Sequence, residues 1–264
     1  MPNIIKESIH HWKVLLKDRA YVVSLLLGFA VLIGAYLINH FTSVVNDAYV
    51  YVSVGDFILD KIPTYNMEFF FTWVMYGLMA ICFFYPVLFK PEIVPFGLKT
   101  FGLLILLRCG FINLTNIGPP EGFYYDGGIV GGSTLSDLLF RNDLFFSGHT
   151  SYPFLGYLLF KESRIRWVLL AGSILMAITV LAMHVHYSID VFAAFFITYG
   201  TYKMSDTIFN KLNLRFQNQL NLYGWKAFQE KIKILKTERE KKKVVFEKVE
   251  NEIVEENLNK NLKN

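Results

Sequence analysis

Two short stretches of the chain place ionisable side chains at the edges of long apolar runs. In the first, LFFSGHTSYPF, His149 follows Ser147 and Gly148. In the second, HVHYSIDVFAAFF, His186 precedes Asp190 by four residues. Ionisable groups inside a membrane segment are energetically expensive and are usually functional. These two stretches are therefore the first candidates for a reactive site.

The spacing of His186 and Asp190 predicts that they share one face of a helix, where residues four apart are neighbours. A carboxylate beside an imidazole selects its tautomer and leaves the other ring nitrogen as a base or nucleophile. The alternative is a buried pair that only satisfies its own hydrogen bonds, and in a soluble helix that interpretation would be favoured. In a membrane span, the cost of burying ionisable groups favours catalysis.

Ser147 and Gly148 are typical of the start of a helix, because serine is a good N-cap and glycine lets backbone N–H groups approach a ligand. A helix N-terminus attracts phosphate, and a histidine there can protonate the leaving oxygen of a phosphoester. The alternative is a capping serine followed by an interfacial histidine. Together the residues predict phosphoryl transfer through a phosphohistidine, with His186 as nucleophile, Asp190 orienting it and His149 as acid.

The composition indicates that membrane spans position these residues. Of 264 residues, 53% are hydrophobic and 17% aromatic, and the mean hydropathy is +0.36. A soluble domain of this length would not accommodate so much apolar surface. The net charge of +4 is spread along the chain, which argues against nucleic acid as a partner. The two cysteines, Cys82 and Cys109, form neither a disulfide framework nor a metal-ligand pattern.

Six apolar segments approach the roughly 20 residues that a helix needs to cross the hydrocarbon core. They are residues 21–38, 68–89, 96–117, 148–160, 166–183 and 187–202. We therefore expect an all-α, multi-pass integral membrane protein with about six transmembrane helices. The distribution of Lys and Arg in the loops predicts that both termini are cytoplasmic. The two histidine motifs then begin spans four and six at the exoplasmic face, which is the periplasm or an organelle lumen.

The predicted organisation has three parts. Residues 1–20 form a cytoplasmic amphipathic N-terminus, and residues 21–205 form the six-span phosphotransferase or phosphatase domain. Residues 206–264 form a charged cytoplasmic tail that is rich in Lys, Glu and Asn and carries apolar residues at helical spacing. We expect this tail to be a solvated, partly frayed helical segment; the alternatives are a short coiled coil and a contact with anionic lipid.

The stretches NDLFFSGHTSYPFLGYLLFKE and HVHYSIDVFAAFFIT resemble the two signature motifs of the sphingomyelin synthase family. That family lies within the lipid phosphate phosphatase (type 2 phosphatidic acid phosphatase) superfamily. Asp143 and residues 147–150 match the first motif, and residues 186–190 match the second, with Ser188 in place of Thr. RCGFINLTNIGPPEG resembles the third-span motif of the family, and VGDFILDKIP resembles a further element in which Asp56 matches. The residues Arg-Asn before Asp143 depart from the Cys-Gly of the family.

The resemblance implies a reaction in which a phosphocholine or phosphoethanolamine headgroup moves from a glycerophospholipid to a ceramide or diacylglycerol-like alcohol. It implies His149, His186 and Asp190 as the catalytic triad, with no metal and no other cofactor. The partners would be the phospholipid donor, the lipid alcohol acceptor and the bilayer. A lipid phosphate phosphatase with water as acceptor is the runner-up, and AMHVHYSID lacks the Arg that precedes its His motif. A non-catalytic lipid-binding or scramblase-like protein is a third possibility, against which the intact triad argues.

The residues predicted to bind substrate are Arg108, Ser147, Gly148, Asp143 and Asp56. Arg108 lies near the outer end of span three and could hold the phosphodiester. The alternative is an arginine that snorkels to the interface. His184 lies two residues before His186 and is predicted to be a turn residue that points off the catalytic face.

Overall fold

A computed structural model describes residues 2–49, 51–115, 117–123, 144–209, 215–218 and 220. The described residues form helices and connecting loops, with no strand among them. The chain divides into two compact units, Met1–Phe216 and Gln217–Asn264. All that follows concerns the first unit, because the second lies almost wholly outside the described residues, as does most of the predicted tail.

The described residues of the first unit are mainly α-helical. The helices are α1 (Pro2–Leu15), α2 (Arg19–Asp47), α3 (Met75–Phe89), α4 (Val94–Leu114), α5 (Gly148–Leu159), α6 (Ile165–Ala182) and α7 (188–209). A π-helical turn, Phe70–Val74, leads into α3, and 3-10 turns occupy Leu59–Lys61 and Pro91–Ile93.

Four segments are long and apolar enough to cross a membrane: Arg19–Asn46, Phe70–Phe89, Pro91–Leu114 and Ile165–Ala182. They correspond to predicted spans one, two, three and five, so the described residues support the predicted all-helical, multi-pass membrane protein. Helix α5 has only 12 residues. At 1.5 Å per residue it is about 18 Å long, against a hydrocarbon core of about 30 Å. The count of six spans and the cytoplasmic termini stay predictions.

Helices α2 and α4 pack closely because glycine removes side chains from their interface. A Cβ atom at Gly102 would lie 2.8 Å from Val31 Cγ1 and 3.2 Å from the backbone nitrogen of Leu32. A Cβ atom at Gly28 would lie 3.0 Å from Leu98 Cβ. Small residues let helix backbones approach one another in membranes, where dispersion forces dominate helix association.

Helices α5 and α6 form a second pair, with large apolar side chains at its centre. Leu155, Leu169 and Met176 are fully buried there. The hydroxyl of Ser173 donates to the carbonyl oxygen of Thr150 at 2.7 Å. Because Thr150 lies in the first turn of α5, this bond holds the N-terminal end of α5 against the middle of α6.

The opposite end of the bundle is closed by polar contacts from the N-terminal region. The indole N–H of Trp12 donates to the carbonyl oxygen of Val87 at 2.9 Å, and the Tyr21 hydroxyl donates to that of Pro91 at 2.8 Å. The carboxylate of Asp18 pairs with Arg215 at 3.1 Å. The first two contacts join α1 and α2 to the end of α3 and the start of the Pro91–Leu114 segment, and the third joins the start of α2 to residue 215.

Candidate active site

The N-termini of α5 and α7 meet at a direct backbone hydrogen bond. The N–H of Ser147 donates to the carbonyl oxygen of Asp190 at 3.3 Å. Ser147 is the N-cap of α5, and its hydroxyl oxygen accepts from the N–H of Thr150 at 3.4 Å. The predicted N-cap is therefore confirmed. Gly148 follows as the first residue of α5 and is buried. Because the backbones of Ser147 and Asp190 are hydrogen-bonded, the two sequence motifs are adjacent in the fold.

His186 and Asp190 form a buried pair. Nδ1 of His186 lies 3.4 Å from Oδ2 of Asp190, and the two side chains are 4% and 3% exposed. The same oxygen accepts the N–H of Tyr187 at 2.9 Å. A carboxylate cannot donate, so Nδ1 carries the proton in this pair and Nε2 keeps its lone pair for an electrophile.

The pair does not lie on one helical face, which corrects the expectation from spacing. Helix α7 begins at Ser188, so His186 precedes it and only Asp190 is helical. The Asp190 carboxylate instead reaches back over the N-terminus of α7 and accepts a backbone N–H there, as capping carboxylates do. His186 and Asp190 still contact each other, because the carboxylate that caps the start of α7 also reaches the imidazole of the residue just before the helix.

His149 lies near this pair, on the second residue of α5. Its ring stacks on Phe71 with centroids 4.1 Å apart and an angle of 25° between the planes. It is within electrostatic reach of both His186 and Arg108. Phe71 belongs to the π-helical turn before α3, and such turns are frequent at functional sites. Sequence reasoning missed Phe71, since nothing distinguishes it from its neighbouring phenylalanines.

Arg108 is held at the start of α5. It is 5% exposed, and its Nε–H donates to the carbonyl oxygen of Phe146 at 2.8 Å. Phe146 directly precedes the N-cap Ser147. The snorkelling interpretation of Arg108 is therefore wrong, because the guanidinium is buried inside the fold.

Asp56 fixes the start of α7 from a distant loop. Its Oδ2 accepts the N–H of Ser188 at 2.7 Å, and its Oδ1 accepts those of Ile58 at 2.9 Å and Leu59 at 3.2 Å. Burial alone would raise the pKa of this carboxyl, but these hydrogen bonds outweigh it and hold the pKa below its usual value. In this structure Asp56 orients the backbone, and its predicted contact with substrate stays a prediction.

Tyr187 ties the same turn to two further loops. Its hydroxyl donates to the carbonyl oxygen of Gly118 at 2.8 Å and accepts the N–H of Val54 at 3.1 Å. Gly118 in turn donates its N–H to the carbonyl oxygen of Val52 at 3.1 Å. Sequence reasoning assigned no role to Tyr187, although its place inside the second motif was a signal.

A small pocket borders Asp190 on the side of α2 and α4. Its polar lining consists of Asn46, Tyr51, Thr115, Tyr187 and Asp190. Among these described lining residues, Asp190 is the one acid and there is no Lys or Arg. Neutral amide and hydroxyl groups suit a hydroxyl group better than an anionic phosphate.

One predicted site residue, Asp143, lies outside the described residues. Within the described part of the chain, no three His, Cys, Asp or Glu side chains come together as metal ligands would.

Comparison with known families covers the segment that holds both histidine motifs. Residues 142–207 match the family model described as PAP2 superfamily C-terminal. The match supports the PAP2 superfamily. Members of this superfamily are membrane-associated and are generally phosphatases or phosphotransferases, which supports an enzyme with lipid phosphate chemistry. A search of curated proteins finds no significant match. The sphingomyelin synthase resemblance remains a finer prediction.

Proposed function

We propose that the protein transfers a phosphocholine or phosphoethanolamine headgroup from a glycerophospholipid to a ceramide or diacylglycerol-like alcohol. The observation that carries the proposal is the buried His186–Asp190 pair with His149 within electrostatic reach. Burying an ionisable pair is costly, and a protein that only binds or moves lipids gains nothing from a nucleophile held in this way. The proposed partners are the donor phospholipid, the acceptor alcohol and the bilayer.

In the first half-reaction, Nε2 of His186 attacks the phosphorus of the donor. A bond forms between nitrogen and phosphorus, and the bond from phosphorus to the diacylglycerol oxygen breaks. His149 donates its proton to that leaving oxygen. The imidazole ring of His186 becomes positively charged, and the Asp190 carboxylate beside Nδ1 stabilises that charge. Diacylglycerol leaves and a phosphohistidine remains.

In the second half-reaction, the acceptor hydroxyl attacks the same phosphorus. His149, now unprotonated, takes the hydroxyl proton, and the nitrogen–phosphorus bond breaks. The product is a lipid that carries the headgroup, and both histidines return to their starting protonation states.

Arg108 supplies positive charge for the phosphate oxygens. Its guanidinium is fixed through Nε by the carbonyl of Phe146, within electrostatic reach of His149. A fixed guanidinium stabilises the charge that develops on the equatorial oxygens more effectively than solvent does, because it need not reorganise during the reaction. The N–H groups at the start of α5 add to this field.

A lipid phosphatase is the second candidate, and the PAP2 superfamily match favours it equally. The first half-reaction would be the same, with water in place of the alcohol in the second. The choice between the two depends on whether the closed site excludes water. Product analysis therefore distinguishes them more directly than any substitution.

The test uses the full-length protein in mixed micelles with several phospholipid donors, with and without ceramide or diacylglycerol. Transfer predicts a new headgroup lipid that appears only with an acceptor, whereas a phosphatase releases a water-soluble phosphate product. His186→Gln should abolish both products. His10→Gln, at an exposed position of α1, is the matched control and should retain full activity.

A second donor distinguishes the proposed roles of His149 and His186. With p-nitrophenyl phosphocholine the leaving group needs no proton, so His149→Gln should release p-nitrophenolate while it fails on phospholipids. His186→Gln should fail on both donors. Equal turnover by wild type and His186→Gln on every donor would exclude the proposed enzyme.

A further inference from the structure

The chain reverses direction after α6 at His184, whose backbone φ is 54°. The N–H of His184 donates to the carbonyl of Leu181 at 3.0 Å, and that of Val185 donates to Val180 at 2.9 Å. These two bonds, after the C-cap Met183, form a Schellman motif, whose left-handed position is most often glycine. A side chain there is unfavourable relative to glycine, so its presence points to a compensating role.

Among the described residues, the imidazole of His184 makes one hydrogen bond, and its second nitrogen has no hydrogen-bond partner. It is 6% exposed, and Nδ1 lies 2.8 Å from the carbonyl oxygen of Glu121. A carbonyl only accepts, so Nδ1 is the protonated nitrogen. Nε2 is buried and has no hydrogen-bond partner among the described residues. A ring that only filled space would not need to direct Nδ1 at the carbonyl oxygen of Glu121.

The turn at Gly122 packs closely against the imidazole ring of His184. Gly122 has a φ of 74°, and a Cβ atom there would lie 3.2 Å from Nδ1 of His184 and 2.9 Å from Oγ1 of Thr64. The Thr64 hydroxyl donates to the carbonyl oxygen of Gly122 at 3.1 Å. Only glycine satisfies both the backbone conformation and the close approach, so the turn and the ring are matched.

Segment 117–123 accepts hydrogen bonds from residues on either side of the proposed nucleophile His186 along the chain. His184 binds the carbonyl of Glu121, and Tyr187 binds that of Gly118. His186 lies between these two attachment points along the chain. Movement of either attachment would therefore rotate the backbone that carries the reactive ring.

We propose that His184 is a positioning residue for His186. Its imidazole clamps segment 117–123 against the turn, and the clamp sets the angle at which Nε2 of His186 meets phosphorus. This inference rests on the proposed function, since it assigns His186 as nucleophile.

The test compares two substitutions that both tolerate the left-handed backbone. His184→Gly removes the ring and relieves the backbone, whereas the amide nitrogen of His184→Asn can occupy the place of Nδ1 and donate to Glu121. His184→Gly should lower kcat by about tenfold or more, because misplaced reacting groups slow the chemical step. The KM of this variant for the donor should not rise, and its unfolding temperature should not fall. His184→Asn should retain most of the wild-type kcat.

Hydrogen–deuterium exchange supplies a readout that does not depend on activity. Amides in 117–123 should exchange faster in His184→Gly than in wild type, with the interior of α6 unchanged. An active wild type with equal kcat in His184→Gly, or equal losses in both variants, overturns the role of His184. An inactive wild type overturns the proposed function instead, and the exchange experiment then decides the clamp by itself.

Discussion

Asp190→Asn is the most informative substitution, because the structure predicts how the new side chain sits. The N–H of Tyr187 points at Oδ2 from 2.9 Å, so the amide oxygen of asparagine must take that position. The same oxygen still faces Nδ1 of His186 at about the present 3.4 Å. Geometry and tautomer are therefore retained, and only the negative charge is lost.

The magnitude follows from the distance of 3.4 Å between the two groups. A unit charge on the attacked imidazole interacts with the carboxylate by about 5 kcal/mol at an effective dielectric constant of about 20. Both side chains are almost fully buried, so solvent screens this interaction little. The amide dipole of asparagine recovers part of it. The expected fall in kcat is about 10³-fold, which corresponds to about 4 kcal/mol.

The assay is single-turnover transfer from a labelled phospholipid, with trapping of the phosphohistidine and measurement of the unfolding temperature. Asp190→Asn should unfold near the wild-type temperature. Asp190→Ala should be less stable by about 1–3 kcal/mol, because it leaves the Tyr187 N–H without an acceptor. Asp190→Asn with kcat within about tenfold of wild type and normal stability would refute the electrostatic role of the carboxylate.

Two further predictions concern the loop before α3 and the orientation of the chain. The pKa of Asp56 is lower in the folded state, so its charge stabilises the fold above its unfolded pKa of about 3.9, and that stabilisation is lost as the pH falls through the folded value. Asp56→Asn should therefore unfold at a lower temperature than wild type at neutral pH, with the difference shrinking below about pH 4; a difference independent of pH would contradict the charge effect. With both termini cytoplasmic, an impermeant maleimide added outside sealed vesicles whose exoplasmic face points outward should label Lys61→Cys and spare Glu162→Cys. The reverse pattern would contradict the predicted orientation of the chain.

Local features were predictable because local physics decides them. The N-cap at Ser147 follows from a serine before an apolar run. The helix from 68 to 89 and helix α6 have almost their predicted bounds, since each is a continuous apolar run with polar ends. The turn at His184 was also expected from the short connection between two such runs.

Contacts between distant segments were not predictable in the same way. Asp56 matched a family element, yet its partner Ser188 lies 132 residues away, and no local pattern encodes that bond. The stacking of Phe71 on His149 depends on a π-helical turn that places one phenylalanine of several against the ring. Arg108 was identified as an unusual membrane residue, but its attachment to the Phe146 carbonyl follows only from the packing of α4 beside α5.

The order of residues along the chain is enough to show which chemistry is available. A histidine four residues before an aspartate, a second histidine behind a capping serine, and apolar runs around both are local properties of the chain. The tertiary structure decided how these groups are held: one backbone bond joins Ser147 to Asp190, and Asp190 reaches His186 over the start of α7 rather than along a helical face. The physical reason is that backbone and side-chain polar groups buried in the bundle must find partners, and only the packed helices determine which partners are near.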